Sequence, residues 1–517
     1  MSGTQSQGNG KAASRIVKST AIIGVSNAIV TVTRIARTKI FAIYLGPAGI
    51  GLFGLYSSIL ATAGAIGGMG IGSSGVRQIA EAHENPSGLA STLFALRLVT
   101  VFLGIAGALS LALLSKPVSH WTVGNEGLVT PIVILATGVL FQVLSDSQTA
   151  VLNGLRRIGD LARIAVLGSV FGTVISIAII RFKGTPALPY AVVIPVLSGL
   201  ACSWYVVGRL RLTRRKPARD ELKMVISSLL RIGFAFMLAG LMMTGALLIT
   251  RIIFVDRLGL AATGYFQAAW GLAVVNIDFI LNAMGVDFYP QLTTCVTRDL
   301  AAGNGLVNQQ IAVALLIGGP LIIGMLTVAS PMIRLFYTGD FALATGLLRW
   351  LLLGSILKLV SWPIGYLIMA HGWAKASLLA EAVWCTLYVG LIYAGSVHFG
   401  VASAGYAFVA AYLVYLMVVY LITHSLGGFR WTGANLKLTS LVIAMAILIM
   451  AVESIQPWVA YLVGGLATFA FSIFSLRRLC TMVDNPTARQ IARLMRVTDK
   501  HPPEAGLECA VESTKPS

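Results

Sequence analysis

The chain has 517 residues, of which 57 % are hydrophobic and only 11 % charged, with a formal charge of +19 and a mean hydropathy of +0.84. Soluble domains carry about 25 % charged residues, so this composition excludes a soluble globular enzyme and describes an all-α, polytopic integral membrane protein. The positive charge reads as anchoring on the cytoplasmic side rather than as a nucleic-acid surface, and five scattered cysteines (Cys202, Cys295, Cys385, Cys480, Cys509) form neither a disulfide framework nor a metal-ligand spacing.

Met1–Ala13 is polar, Gly/Ser-rich and without a cleavable-signal pattern, and a cytoplasmic tail is expected over residues 1–16. Fourteen spans follow, at 17–45, 48–74, 92–114, 128–152, 161–182, 187–208, 226–255, 262–285, 307–330, 344–370, 375–396, 401–424, 435–452 and 457–476. With the N-terminus inside, the inner loops and tails hold 26 of the 38 Lys and Arg residues, so the positive-inside rule places both termini in the cytoplasm. Residues 209–225 form a basic linker containing Arg209, Arg211, Arg214, Arg215, Lys216, Arg219 and Lys223. It separates an N-lobe (17–208, six spans) from a C-lobe (226–424, six spans). Residues 425–476 form an accessory pair in which Glu453 is the one acidic residue, and 477–517 form a polar cytoplasmic tail.

The lobes repeat. Leu45-Gly46-Pro47-Ala48-Gly49-Ile50-Gly51-Leu52-Phe53 after the first span is matched by Leu258-Gly259-Leu260-Ala261-Ala262-Thr263-Gly264-Tyr265-Phe266 after the seventh. Both fit LGxAxxGxF, with Phe41 and Phe254 also in register. Six spans separate the copies, an even number, so the repeat is parallel.

The first span carries Arg34, Arg37 and Lys39, and Thr20, Gly24, Asn27, Thr31, Arg34 and Thr38 fall on one helix face. Its ten Ile, Val and Phe residues favour insertion by about 3 to 6 kcal/mol, while three cations at mid-span oppose it by roughly 7.5 to 10.5 kcal/mol. The stripe is therefore expected to line a water-filled cavity rather than to face lipid. The second span is glycine-rich, which suits close helix packing and bending equally. Gln142, Asp146, Thr149 and Asn153 make a polar face on the fourth span. The eighth holds Asn276, Asp278, Asn282 and Asp287, the tenth Lys358 five residues before Pro363, and the eleventh Glu381. Arg34 and Lys358 are the leading candidate substrate cations, with Arg37, Lys39, Arg97 and Arg251 behind them. An internal ion pair with Asp146 or Asp278 is the alternative for the first two. Asp146, Asp278, Asp287 and Glu381 are either partners of these cations or a proton or sodium coupling site. More cations than anions points to an anionic cargo, for which arginine's planar fork suits phosphate. Trp270, Trp350, Trp362, Tyr366 and Trp384 suit packing first and sugar stacking second. No nucleotide loop, metal cluster or cofactor motif is present, and the outer loops are too short for the catalytic domain of a glycan polymerase or ligase.

Tyr44–Pro86, with Gly46-Pro47-Ala48-Gly49-x-Gly51-Leu52, Gly75-Val76 and His83-x-Asn85-Pro86, resembles the opening of bacterial O-antigen and enterobacterial-common-antigen flippases of the Wzx type. Tyr289-Pro290-Gln291-Leu292 is similar, with altered spacing, to a segment of that family. The resemblance implies membership of the multidrug/oligosaccharidyl-lipid/polysaccharide exporter superfamily. It further implies two six-helix lobes forming a V around a cationic central lumen, in the bacterial inner membrane. The implied activity is alternating-access transfer of an undecaprenyl-pyrophosphate-linked oligosaccharide to the periplasmic leaflet, with membrane lipids and the polysaccharide polymerase and chain-length machinery as partners. The two extra C-terminal helices also bring a lipid II-type flippase into view. A multidrug exporter of the same superfamily is the other alternative.

Overall fold

The computed structural model describes residues 3–82, 85–210 and 217–482. His83, the linker residues Arg211, Arg214, Arg215 and Lys216, and the tail from 483 onward with Cys509 lie outside the described residues, as do the side chains of Thr20 and Asn276. Among the described residues the regular elements are helices: α1 (Gly3–Gly68), α2 (Ile71–Ala82), α3 (Pro86–Leu113), α4 (Ser115–Val123), α5 (Val129–Gly154), α6 (Ile158–Lys183), α7 (Leu188–Gly208), α8 (Arg219–Leu258), α9 (Leu260–Arg298), α10 (Leu300–Thr327), α11 (Ala329–Phe336), α12 (Ala344–Ala370), α13 (Ala374–Phe399), α14 (Ser403–Gly427), α15 (Gly433–Ile455) and α16 (Pro457–Met482). This is an all-α membrane protein. Among the described residues twelve segments are long and apolar enough to cross a bilayer, and two of them, 24–68 and 374–427, hold two helical stretches each. Gly46 breaks the first, and α13 and α14 share the second. The fourteen expected spans divide these same two segments.

Several boundaries move from their expected places for local reasons. The third span starts at Pro86 rather than 92, because the Asn85 side chain accepts from the Ser87 and Gly88 amides and Pro86 fills the first helical position. The second span ends at Gly68, where Met69 (φ 44°) and Gly70 (φ 65°) turn left-handed before α2. The seventh reaches back into the basic linker to Arg219, with Asp220 and Glu221 in its first turn, where acids are favoured by the helix dipole. The short helices α4 and α11 occupy what reads in sequence as loop.

Two compact units result. The first comprises residues up to Gly264 together with Phe336–Thr338, and the second comprises Tyr265–Leu335 and the chain from Gly339 onward. The division falls within the start of α9 and not at the 209–225 linker, because α8 packs against α1, α2 and α3. In the first unit α1 lies against α6 and α8, while α5 contacts α2, α3 and α7. In the second, α12 is the central helix, contacting α10, α13, α14 and α15. It is buried on most sides, consistent with the apolar run Trp350–Leu353 and the Ile356 and Leu357 that follow Gly354 and Ser355.

The repeated LGxAxxGxF pattern has a repeated backbone. Gly46 (φ 61°, ψ −168°) and Gly259 (φ 84°, ψ 172°) take the same conformation, one that L side chains rarely adopt. The seventh positions then pack reciprocally. A Cβ on Gly51 would stand 2.0 Å from the Leu260 carbonyl oxygen, and one on Gly264 would stand 1.9 Å from that of Pro47. Leu260 and Pro47 are the matching third positions. All four residues belong to the first unit. Phe41 and Phe254 are both fully buried beside these turns, and Phe53 meets Phe41 edge-on at 5.4 Å. Gly264→Ala therefore forces two backbones apart, and a loss of about 1–3 kcal/mol is expected. A lowered Tm of the detergent-purified protein checks this, with Gly240→Ala, where nothing stands within 4 Å of the added Cβ, as the control.

Candidate functional site

In the first unit the polar face of α5 lines a cavity. Gln142, Asp146, Thr149 and Asn153 open onto a cleft of about 550 Å³, whose other walls come from α1 (Ala61, Gly64, Gly68), α2 (Gly72, Ser73, Val76) and α8 (Phe236, Met237, Gly240). The small residues of α1 and α2 leave the space that larger side chains would fill. The Gln142 amide donates to Asp146 Oδ1 at 2.8 Å, fixing one carboxylate oxygen. Asp146 itself remains exposed to the cleft.

Five of the six cations expected to bind substrate are dispersed within this unit. Arg34 is exposed on α1, and the Thr38 hydroxyl of the same stripe donates back to the Arg34 carbonyl at 2.9 Å. Arg37 is half-buried with its guanidinium carbon 5.5 Å from the centre of the Phe53 ring, a cation–π contact onto the repeat turn. Its Nε is buried with no hydrogen-bond partner among the described residues. Lys39 donates to the Tyr337 carbonyl. Arg251 is buried and returns an N–H to the Leu247 carbonyl at 3.1 Å. Arg97 lines a separate cavity of about 310 Å³ with Gln148 and Trp204.

The second unit gathers several of its ionisable groups at one place. Lys358, 9 % exposed at the middle of α12, forms an ion pair with Asp278 of α9. Its ammonium lies 5.9 Å from the centre of the Tyr412 ring on α14. Tyr412 and Tyr415 are 5.9 Å apart, and the Tyr415 hydroxyl donates to Glu381 Oε1 of α13 at 3.2 Å. Four helices thus contribute to one polar cluster holding two carboxylates, one ammonium and two phenols. The Ser361 hydroxyl donates to the Lys358 carbonyl at 3.2 Å, and Pro363, lacking an N–H, leaves the Leu359 carbonyl without its helical donor. Asp287 lies nine residues beyond Asp278 along α9, about 13 Å away, and is exposed.

Of the two alternatives open in sequence for Lys358, the structure brings it together with Asp278. Three participants escape the sequence reading. Tyr412 and Tyr415 complete a Phe408, Tyr412, Tyr415 face at steps of four and three, a signal that reads in sequence as ordinary apolar periodicity. Arg349 of α12 pairs with Glu453 of α15, both side chains largely buried. Trp270 and Trp384 are packing residues: both are buried, with Trp270 5.6 Å and Trp384 6.4 Å from the Phe408 ring.

Residues 40–344 match the family described as "Polysaccharide biosynthesis protein". The Lipid III flippase of Escherichia coli K12 is 23 % identical over 388 residues, which cover 73 % of this chain and 90 % of that protein. Among solved structures, an inward-facing multidrug resistance transporter of the MATE family of the MOP superfamily superposes with a TM-score of 0.65 at 19 % identity, covering 77 % of this chain and 94 % of its own. The lipid II flippase MurJ in an inward closed conformation gives a TM-score of 0.65 at 14 % identity, covering 89 % of this chain and 99 % of its own. The first 424 residues are only about 82 % of the chain, so the likeness to MurJ takes in part of the region that holds α15 and α16.

The Asp278–Lys358 pair generates a quantitative expectation. Asp278→Asn leaves a buried ammonium without its counter-charge and should destabilise the protein by about 3 kcal/mol. Asp278→Asn combined with Lys358→Met should recover most of that loss. A double-mutant cycle on thermal unfolding measures the coupling.

Proposed function

Because the chain belongs to the polysaccharide biosynthesis protein family, we propose that it is a flippase of the bacterial inner membrane, carrying a polyprenyl-pyrophosphate-linked oligosaccharide from the cytoplasmic to the periplasmic leaflet. The observation that carries this reading is the match with the E. coli Lipid III flippase along nine-tenths of that protein. The fold agrees with transport, since MATE and MurJ share it at TM-scores of 0.65. The chain is read as a transporter and not as an enzyme, with both termini in the cytoplasm.

The cargo's chemistry supports the assignment of cations. A pyrophosphate presents oxygen pairs that a guanidinium meets bidentately, and Arg34 is an exposed arginine on a helix whose polar stripe is out of place against lipid. Lys358 is already paired, so its proposed part differs. Phosphate and Asp278 would compete for one ammonium, and binding of the anion would release the carboxylate. Asp278, with Glu381 beside Tyr415, then becomes the proposed site at which a proton or sodium ion couples to transport. Asp146, held by Gln142 at the wall of the cleft, is the corresponding candidate in the first unit.

A second reading, a lipid II-type flippase, is favoured by one observation: the likeness to MurJ covers 89 % of the chain, whereas the match with the Lipid III flippase covers 73 %. A strain lacking its lipid-linked oligosaccharide flippase separates the two. Wild-type protein should restore surface polysaccharide there and should not rescue loss of lipid II flipping. Rescue of the second strain alone overturns the first reading. In the restored strain at matched expression, Arg34→Ala should lower surface polysaccharide about tenfold or more and Arg34→Lys should retain part of it, the loss of one charge-assisted phosphate contact being worth about 1.5–3 kcal/mol.

A further inference from the structure

A further cavity belongs to neither polar site. It is a groove of about 860 Å³ in the first unit between α6 and α7, with the C-terminal end of α5 at its mouth. Its body is apolar, walled by Ile164, Leu167 and Phe171 of α6 and by Cys202 of α7. Its mouth is cationic, with Arg157, Arg163 and Arg209 set against the single carboxylate of Asp160. Arg157 and Arg163 share that carboxylate at 3.2 and 3.3 Å while their own side chains stay 50 % and 75 % exposed. Arg209 sits over the Tyr205 ring, its guanidinium carbon 4.2 Å from the ring centre, and donates to the Tyr205 hydroxyl, which holds the charge at the groove's mouth. One acid against three guanidiniums leaves the mouth with an excess of two positive charges.

We propose that this groove is a binding site for one anionic phospholipid of the cytoplasmic leaflet. Arg163 and Arg209 would hold the phosphate, and an acyl chain would run along α6 over Leu167 and Phe171. The dimensions agree. From Arg157 to Phe171 is fourteen residues, about 21 Å along a helix, against a half-bilayer hydrocarbon depth of about 15 Å plus part of the headgroup region. The mouth is also at the end of α6 and α7 that the positive-inside rule assigns to the cytoplasm, the side where basic pockets between spanning helices meet anionic headgroups. The exposed faces of Leu167, Phe171 and Tyr205 are ones that water would leave unsolvated and that a lipid chain covers. The site is separate from the proposed transport path and takes a resident lipid, not cargo.

Native mass spectrometry of the full-length protein, with phosphatidylglycerol or phosphatidylcholine added to the micelle, tests this directly. Wild type should retain one phosphatidylglycerol at collision energies that strip phosphatidylcholine. Arg163→Gln with Arg209→Gln should weaken that retention at least tenfold, at roughly 1 kcal/mol per arginine near an anionic headgroup. Lys437→Gln with Arg478→Gln, on the second unit, should leave it unchanged. Cys202 supplies a readout that needs no arginine variant. Its alkylation, followed on its own peptide, should slow severalfold in phosphatidylglycerol micelles and not in phosphatidylcholine or with glycerol phosphate. Equal retention or equal protection by the two lipids overturns the headgroup assignment. Protection by glycerol phosphate alone makes the mouth a site for soluble phosphates and overturns the lipid.

Discussion

The constraint on which the fold depends is the close approach of backbone at the two copies of LGxAxxGxF. Within a bilayer, lipid tails are as apolar as leucine, so helices gain little from hiding apolar surface and associate where small residues let their backbones meet. Gly51 against the Leu260 carbonyl and Gly264 against that of Pro47 are such meetings, and neither accepts a Cβ. The preceding glycines, Gly46 and Gly259, turn the chain in the left-handed region so that each helix resumes at the angle the crossing requires. Sequence repetition, backbone repetition and reciprocal packing are three descriptions of one arrangement.

Around that frame, the chain handles buried charge differently in its two units. The first spreads its cations: Arg37 rests on Phe53, Arg251 turns back to its own helix, and Arg34 stays exposed. The second concentrates its charges, with Lys358 and Asp278 joined at the centre of the most buried helix and Glu381 hydrogen-bonded to a neighbouring phenol. A dispersed set of cations accommodates an elongated anion without committing to one geometry. A paired set has two states, closed on itself or opened by a competing ion, and suits a switch.

What was legible in the sequence follows from how local the determining physics is. Helix class, helices long and apolar enough to cross a bilayer, and the polar face of α5 rest on composition and a period of 3.6 residues, and all three appear in the structure. The LGxAxxGxF copies showed where the turns lie, but not that they pack on one another, since a carbonyl 209 residues from Gly51, or 217 from Gly264, leaves no trace in a local pattern. Helix ends moved where a cap decides, as at Asn85, and where a left-handed pair interrupts an otherwise continuous apolar run, as at Met69-Gly70. The Asp278–Lys358 pair was one of several combinations that charge alone permitted. Tyr412 and Tyr415 were hidden because a phenol facing a carboxylate and a phenol facing lipid occupy the same helical positions.

The last helix pair is bound into the second unit by polar contacts as well as packing. Asn308 of α10 donates to the Arg430 carbonyl and receives the Thr432 amide, the Asn435 side chain reaches back to it, and Glu453 takes the guanidinium of Arg349. These two helices therefore cannot have been appended to, or lost from, an otherwise complete transporter without compensation. A kindred protein ending after its twelfth helix must carry an uncharged residue where this one has Arg349, or find another acid for it. The boundary between core and appendage in this chain is thus written at position 349, more than seventy residues before the appendage begins.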